Sequence, residues 1–578
     1  MKRCLMNTAL ALSVCGALNA PTYANDNINY FSFGLSTESI NPNYDYLTDC
    51  KRDCDDQARI QDLEFWFNTR LGQEQAGYDL KLSQATAQSA RFLIQSTYGP
   101  TAQGINQLAD LIAVKGEQAA IEHWLTEQMQ LPASQLTSLV SNATDHLQTS
   151  AWWHQSLVAP DQLRQRVAFA LNHVLTISTV GSIRKDGSIA EYYDVLANNA
   201  FGNFRTLLND VTYNIAMGVY LDNVRNNSRH QANENYAREL MQLFTLGTER
   251  LNLDGSAQVD ENGQPIETYT EADVVELAKA LSGIVRGGQW YGQAKVRQRL
   301  HFGGEKVLFA GTDQVAYVDG SSAKGDIAQA LDAIFNHPNV GPFIAKRLIQ
   351  HLVTSNPSPQ YIANVASVFN DNGQQVRGDM AAVIKAILLD PEARQPQQVA
   401  DMSFYGKLKE PVLRFTGLLR AFDVNPARLT AFQISRIQRP LYADSVFSFF
   451  QPDDTHSGII EDAGKVAPNF TLATEVNQAT LYNALYKNVT ESRYGKKAMR
   501  TGNYNRYNLD KEAALAINSP ELLVDRYNLL LMGGTMSDSM KDKIVKHLAG
   551  VSTSDGGYQR ARQALLAVVT SHQQAIQR

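Results

Sequence analysis

Cysteines and long apolar runs are scarce in this sequence. Four cysteines occur among 578 residues, which excludes a scaffold held together by many disulfides. After the amino terminus, no stretch offers the roughly 18 consecutive apolar residues that a membrane-spanning helix needs, so we predict no transmembrane segment. The formal net charge is −6, and the sequence lacks the basic patch that nucleic-acid binding requires. We therefore predict no nucleic-acid partner.

Several short catalytic and binding motifs are also missing. The sequence has no His-x3-His and no His-Glu-x-x-His, the spacings that place zinc ligands on one helix face. The pairs Gly287-Gly288 and Gly303-Gly304 lack the spacing of a phosphate loop, and there is no Gly-x-Ser-x-Gly elbow. These absences argue against a helix-borne zinc protease site, a nucleotide loop and an α/β-hydrolase nucleophile.

The first residues have the features of a secretory leader. A basic start precedes an apolar stretch over 9–18, which is too short to span a bilayer, and a small residue stands at Ala24. We predict a signal peptide over 1–24, cleavage near Ala24, and a periplasmic or secreted mature protein. Lipidation at Cys15 is the weaker alternative, because Val14 before it is larger than the residue such sites usually carry.

Residues 25–80 are polar and rich in aromatics, which indicates an extended N-terminal arm. This arm carries Cys50 and Cys54. Their Cys-x3-Cys spacing lies within disulfide range on a helix, and an oxidising compartment favours the bond. Free thiols and a metal site stay open as alternatives.

From residue 84 onward, apolar residues recur at helical intervals. We predict a mainly α, multi-helical globular body, with a main helical domain over 81–390. A small β-hairpin is expected over 251–265, where Asp254-Gly255 and Asn262-Gly263 are turn dipeptides. After a linker over 390–399, we expect a C-terminal helical region, 391–578, packed on the main domain. Predicted helices include 161–178, 204–208, 426–438, Glu117–Gln130, Pro359–Asn370 and Met380–Leu389.

The segment from Asn233 to Gly247 is the most informative stretch of the chain. It predicts one helix with an apolar side and a polar side, with Asn233 as N-cap and Gly247 just past the end. The helix starting at 271 should open with a capping box from Thr270 to Asp273. Spacings of three and four residues place the polar side chains of the first helix on one face; they are Asn235, Arg238, Glu239 and Gln242.

This polar face suggests acid–base chemistry. Glu239 can act as a general acid or base, and Arg238 can bind an anionic group through two parallel hydrogen bonds. Asp222 is a candidate second carboxylate. The ordinary alternative is that Arg238 forms a surface ion pair with Glu234 at i,i+4, which stabilises a helix by a few tenths of a kcal/mol.

Two histidines and one aromatic pair are further candidates. His301 precedes a glycine-containing loop that leads to Lys306, and loops often carry function. His173 lies in an apolar helical run, where a buried, hydrogen-bonded histidine is the plainer interpretation. Trp290-Tyr291 stands among glycines and could form an exposed binding platform. A mixed site of His173, His301, Asp222 and Glu239 could hold a divalent metal, but no metal ligand or cofactor is assigned.

Two arginines in the run 163–169, Arg164 and Arg166, are expected to pair with Glu191 or Asp194.

Several blocks of the sequence match the pattern of one known family. They are 163–169, 192–202, 233–240, His301 with Lys306, 337–338, 346–348, 445–450 with Pro452, and 466–470. On these blocks, the chain resembles the bacterial family called domain of unknown function 1800. The resemblance implies an exported protein, often encoded beside a sulfatase-like exported protein of the family called domain of unknown function 1501, and it implies no particular reaction.

The sequence departs from the family pattern at three positions. Many members have a histidine where Leu171 stands, a glutamate at Gln242 and a histidine at Asn214. These departures argue against a multi-histidine metal centre.

Two functions follow as hypotheses. The first is an exported enzyme acting on a polar or anionic polymer such as a polysaccharide. Its catalytic residues would be Glu239, Arg238 and His301. The second is a non-catalytic periplasmic binding or assembly protein that works with the sulfatase-like partner. The substrate contacts of the first hypothesis are Asn235, Lys306, Trp290, Tyr291, His173 and Asp222.

Overall fold

The structure is a computed structural model. The predicted leader, the arm up to residue 79, the Cys50–Cys54 pair and Trp290-Tyr291 lie outside the part of the chain that it describes, as does most of the predicted helix 426–438. The described residues are 80–140, 147–178, 183, 186–288, 292–395, 402–422, 437–490 and 509–578.

Helices dominate the first part of the body, as predicted. They are α1 Gln84–Ser96, α2 Ala102–Lys115, α3 Glu117–Gln130, α4 Leu147–Val158, α5 Gln162–Val174, α6 Asp186–Asn198, α7 Phe204–Tyr213, α8 Ile215–Tyr220, α9 Asn235–Glu239, α10 Glu271–Ala280, α11 Ala323–Asn336, α12 Val340–Leu352, α13 Pro359–Asn370 and α14 Met380–Leu389.

The remaining residues continue the helical pattern. None of the helices found in the described ranges has both the length and the apolar character to cross a membrane. The later helices are α15 Pro391–Arg394, α16 Pro411–Ala421, α17 Ile459–Asp462, α18 Glu475–Thr490, α19 Asp510–Asn518, α20 Pro520–Met532, α21 Asp538–Ala549, α22 Tyr558–Val569 and α23 His572–Ala575.

Local capping explains where several helices begin and end. The predicted capping box of α10 is confirmed, because Thr270 and Asp273 exchange side-chain and backbone hydrogen bonds. Gly247 adopts φ 76°, the left-handed conformation expected just past a helix end. The predicted N-cap at Asn233 is wrong by one position: Glu234 is the cap residue, and the Asn233 side chain accepts the N–H of Asn235 at 3.1 Å.

Short antiparallel pairs make up the β-structure of the described residues. The strands are β1 Ile284–Val285 with β2 Lys295–Val296, β3 Lys306–Leu308 with β4 Ala316–Val318, and β5 Lys407–Leu408 with β6 Ile576–Gln577. In the segment 251–265, both predicted glycine turns form, and the limbs are joined by isolated bridges such as Leu251 to Ala257.

One hydrophobic cluster runs through both of the predicted regions. Helix α20 packs against α1, and α16 packs against α4. Gly99 and Gly417 lie so close that a Cβ on Gly99 would overlap the Cα of Gly417. The Arg420 guanidinium donates to the carbonyls of Gly99 and Leu157 at 2.7 and 2.6 Å. The helices after residue 410 are therefore built into the same core as the earlier ones.

The segment predicted as a linker is partly ordered into that core. The Asp390 side chain caps α15 by accepting the N–H of Glu392. Arg394 at the end of α15 is buried and donates to the side chain of Gln95. These contacts tie 390–395 to α1, and residues 396–401 lie outside the described ranges.

A buried histidine between α11 and α12 makes folding sensitive to pH. His337 is buried, its Nδ1 accepts the N–H of Asn339 at 3.1 Å, and burial lowers its pKa to about 4. The unfolded chain therefore binds more protons than the folded chain between about pH 6.5 and 4. The stability that neutral His337 contributes is present above pH 6.5 and is lost as the pH falls towards 4.

We expect His337→Asn to remove this pH dependence. The asparagine carbonyl can still accept the Asn339 N–H, but it does not titrate. Urea unfolding at pH 7.5 and pH 5 should show the wild type losing about 2 kcal/mol more than the variant between the two conditions. Equal losses in both proteins would contradict the prediction.

Candidate functional site

A cavity of about 220 Å³ opens between the end of α5, the residues after α9, helix α12 and the loop 446–453. Its lining combines imidazole, guanidinium, carboxylate and amide groups with aromatic rings. This mixture of a few polar groups on an apolar wall is typical of a binding pocket, although the volume suits a small ligand. The lining residues are His173, Val174, Gln242, Leu243, Gly247, Thr248, Arg347, His351, Val446, Phe447, Phe450, Gln451, Pro452 and Asp453.

The segment that stands out in the sequence forms one wall of this cavity. Helix α9 continues into a π-helix over Leu240–Thr245. A π-turn holds more residues than an α-turn, so side chains after Leu240 leave the rows predicted for a regular helix. Gln242 accordingly faces the cavity, and its predicted alignment with Arg238 and Glu239 is interrupted. π-Helical turns frequently mark functional sites.

His173, near the end of α5, lies at the buried floor of the cavity. Its Nε2 is 3.1 Å from the Glu410 carboxylate, and its Nδ1 is 2.8 Å from the hydroxyl of Ser448. The ring stacks on His351 with 4.8 Å between centroids and 16° between planes, and on Phe450 at 5.4 Å. One imidazole thus joins a carboxylate, a hydroxyl and a second imidazole.

Glu410 is fully buried at the start of α16. Its Oε2 accepts from the Gln438 amide at 2.5 Å, and its Oε1 is 4.0 Å from the Lys407 ammonium. Burial alone would raise the pKa of this carboxyl, but its electrostatic interactions with His173 and Lys407 outweigh burial and lower the pKa. Glu410 is therefore ionised.

Two cations converge on the backbone of His351. The Arg166 guanidinium and the Lys407 ammonium donate to the His351 carbonyl at 2.5 and 2.7 Å. Burial lowers the pKa of Lys407 to about 7, although Glu410 opposes this. Burial, followed by the charges of His173 and Lys407, brings the pKa of His351 well below 6.5, so its ring is neutral.

The predicted partners of Arg164 and Arg166 are wrong. Arg164 lies 3.7 Å from Asp161 and donates to backbone carbonyls, while Arg166 binds the His351 carbonyl. Asp194 instead accepts the backbone N–H groups of Leu136 and Thr137 at 2.5 and 3.0 Å. The sequence shows which acidic residues could pair with an arginine. It does not show that backbone N–H groups of a distant loop bind one of those carboxylates instead.

Ser448 has a strained backbone. Its φ of 64° lies in the left-handed region, and its N–H closes a turn on the Ser445 carbonyl at 3.1 Å. Strained non-glycine positions cluster at functional sites. The turn places the Ser448 hydroxyl against His173 and sends Phe447 and Phe450 into the cavity lining.

Cationic groups predominate at the edge of the cavity. Asp453 accepts from Lys346 at 3.0 Å and from Arg347 at 3.3 Å, so one carboxylate is shared by two cations. The Arg347 guanidinium also stacks on the Phe343 ring at 4.9 Å. The three charged groups sum to one positive charge, which favours an anionic ligand.

The predicted site around Arg238 lies outside this cavity, in a more exposed environment. Arg238 pairs with Glu234 at 3.0 Å, the ordinary i,i+4 contact, and with Glu271 at 2.5 Å. All three side chains are at least a third exposed. Burial raises the pKa of the half-buried Glu239, and the charge of Arg238 partly offsets the shift. Two carboxylates already occupy the guanidinium that the sequence assigned to an anionic substrate.

His301 and Lys306 belong to a separate buried cluster. His301 is 2.8 Å from Asp326 through Nε2 and 3.0 Å from the Ser282 hydroxyl through Nδ1. Lys306 on β3 donates to the same carboxylate. These side chains are almost fully buried, and among the described residues their polar contacts include neither His173 nor Arg238. The cluster therefore joins the loop that carries His301 to strand β3 and to helix α11, which carries Asp326.

The other predicted substrate contacts lie elsewhere. Asp222 has φ 58° and pairs with exposed Arg225 at 3.3 Å. Asn235 is exposed at the first turn of α9. Of the predicted catalytic and substrate-binding residues within the described ranges, the cavity lining contains His173 alone.

Sequence reasoning missed His351, Lys407, Glu410 and Ser448. His351 had a signal, since it stands in an apolar helical run like that of His173. The sequence also has three charged residues just before an apolar helix, namely Lys407, Lys409 and Glu410. The solvent-exposed start of an ordinary helix has the same pattern, so this pattern does not indicate a buried site. The partners of His173 are more than 170 positions away in sequence, so spacing could not join them.

The cluster also contains the donor types of a cation site. One ligand atom each from His173, His351 and Glu410 lies within 4.8 Å of the others, and all three residues are buried. Two imidazoles with one carboxylate form a set that catalytic zinc sites use.

Comparison with protein families gives one match. The model described as Protein of unknown function (DUF1800) matches residues 91–574, so the chain belongs to that family. His173, Gln242, His351 and Glu410 all fall inside the matched range. No curated protein matches the chain, and no solved structure matches it.

The Lys407–Glu410 pair yields a stability prediction. Glu410→Gln keeps an oxygen for the Gln438 amide but leaves Lys407 without its nearest counter-charge. Removing one member of a buried pair costs about 3 kcal/mol or more. The double variant Lys407→Met/Glu410→Gln should recover part of that loss, giving a coupling energy above about 1 kcal/mol. Urea unfolding of the four proteins measures this coupling, and strictly additive losses would show that the two groups do not interact.

Proposed function

We propose that the protein is an exported enzyme with its reaction centre at the floor of this cavity, formed by His173, His351 and Glu410. The observation that carries the proposal is the position of His173. Its imidazole lines a cavity, and a buried carboxylate and a buried hydroxyl lie 3.1 and 2.8 Å from its two nitrogens. A titratable group fixed in this way in a concave pocket has the geometry of acid–base or cation-assisted catalysis.

The proposed substrate is a small polar anion or the terminal unit of a polar polymer. A volume of about 220 Å³ is below that of most ligand pockets, so a polymer would enter by its end. Arg347 would contact the anionic group because it lines the cavity and shares Asp453 with Lys346. The Gln242 amide and the Phe450 ring would orient the rest of the ligand.

Export is proposed from the leader sequence over 1–24, with a periplasmic or secreted mature chain. The assembly alternative, with a sulfatase-like partner, has one supporting observation. Helix α18 exposes Val476, Tyr482 and Tyr486, and Ile459 is also exposed. Exposed apolar groups of this kind suit a protein interface. A partner recovered in stoichiometric amount with the mature protein would favour this alternative.

Turnover of small chromogenic anions tests the enzyme proposal. The substrates are p-nitrophenyl phosphate, sulfate and glucuronide, with p-nitrophenyl glucoside as the uncharged counterpart of the last. We expect release from at least one anion and little from the glucoside. His173→Gln, which replaces the imidazole with an amide that does not titrate, should lower kcat by at least about 100-fold. Arg347→Met should mainly raise KM, since it removes ground-state binding of the anion.

Variants of the helix α9 site provide the comparison. If Glu239→Gln abolishes turnover while His173→Gln leaves it intact, the chemistry belongs to the site predicted from sequence. Absence of turnover with every anion would contradict the enzyme proposal for substrates of this size.

A further inference from the structure

Two atoms of the reaction centre lack the hydrogen bonds that their burial calls for. Glu410 Oε1 and His173 Nε2 are both buried without an aligned hydrogen-bond partner among the described residues. Nε2 lies 3.1 Å from Glu410, but the contact is not directed along the N–H bond. An unsatisfied buried polar atom costs about 1–3 kcal/mol, so a ligand that binds both atoms would remove a real penalty.

The second nitrogen of His173 is held as metal-binding histidines usually are. A ligating imidazole typically donates its other N–H to an oxygen, which fixes the ring. Nδ1 of His173 lies 2.8 Å from the Ser448 hydroxyl. With the proton on Nδ1, the lone pair of Nε2 faces the space between Glu410 and His351.

We propose that His173, His351 and Glu410 bind a divalent cation of the zinc class, with the open coordination side towards the cavity. The donor set is two imidazoles and one carboxylate, and both imidazoles line the cavity. The proposal rests on the proposed function for the location of the centre and specifies how that centre works.

Cation binding requires a small rearrangement. Zinc–ligand bonds of about 2.1 Å place two ligand atoms at most about 4 Å apart, whereas these atoms are spread over as much as 4.8 Å. The His173 and His351 rings are nearly parallel, so His351 must turn about its Cβ–Cγ bond to aim a nitrogen at the same point. Lys407, 4.0 Å from Glu410, competes with the cation for the carboxylate.

Zinc titration of the metal-stripped full chain tests this proposal directly. We expect calorimetry to show one Zn²⁺ per chain with a Kd of about 1 μM or tighter, corresponding to roughly −8 kcal/mol. Co²⁺ bound at the same site should absorb more strongly in the visible range than aqueous Co²⁺, because the site supplies a low coordination number. Absence of saturable Zn²⁺ binding to the wild type would overturn the proposal, and this measurement needs no variant to fold.

Variants with opposite expected effects separate ligation from mere structural support. His351→Gln and Glu410→Gln should each weaken Zn²⁺ binding by at least about 100-fold. Lys407→Met should tighten it, because the competing charge is removed. His337→Asn is the control, since it changes a buried histidine outside the cluster and should leave the affinity unchanged. Binding that survives both ligand substitutions would place the cation elsewhere and sink the assignment.

Failure here is distinguishable from failure of the proposed function. If Zn²⁺ does not bind but His173→Gln still abolishes turnover, the cation assignment is wrong and the reaction centre stands. If Zn²⁺ binds as expected but no anion is turned over, the cation site is supported and the enzyme proposal is contradicted for these substrates.

Discussion

The buried carboxylate of Glu410 is the constraint on which the rest of the candidate site depends. An ionised carboxylate without exposure to water needs compensation from every side, and the chain supplies it through His173, Lys407 and Gln438. Two of these partners also position another group. Lys407 fixes the His351 carbonyl, and His173 fixes the Ser448 hydroxyl. The geometry of the cavity floor therefore follows from the neutralisation of one charge.

Much of the helical body follows from local sequence. Apolar periodicity and capping residues fix Glu117–Gln130, Pro359–Asn370 and Met380–Leu389 at their predicted bounds. Helix α5 ends at Val174, earlier than predicted, because Leu175 leaves the helical conformation. Helix α7 runs beyond the predicted residue 208 to Tyr213. The helix ends that differ from the prediction depend on packing against distant residues, which a local stretch of sequence does not reveal.

The candidate site was less accessible to sequence reasoning. The sequence around Glu239 predicts a functional helix face, but the π-helix turns Gln242 into the cavity and leaves Arg238 paired with Glu234 and Glu271. A turn of π-helix arises from tertiary packing and has no simple signature in the sequence. His301 was selected for its loop, and its partners Asp326 and Ser282 close a buried cluster instead. Local sequence patterns therefore indicate which ionisable groups are candidates. The partners of each group come from distant parts of the chain, and a local pattern cannot predict them.

The cavity floor depends on strand β6, which comes much later in the sequence than the residues of the floor. Gln577 pairs with Lys407 in the β5–β6 ladder, and its side chain donates to the carbonyls of Leu352 and Val353, directly after His351. The segments that carry His351 and Lys407 are thus braced by a strand synthesised some 225 and 170 positions later, respectively. A nascent chain emerging from the ribosome has every ionisable group of the centre before it has this brace. The cavity floor should consequently reach its final arrangement late in folding, after strand β6 has been synthesised.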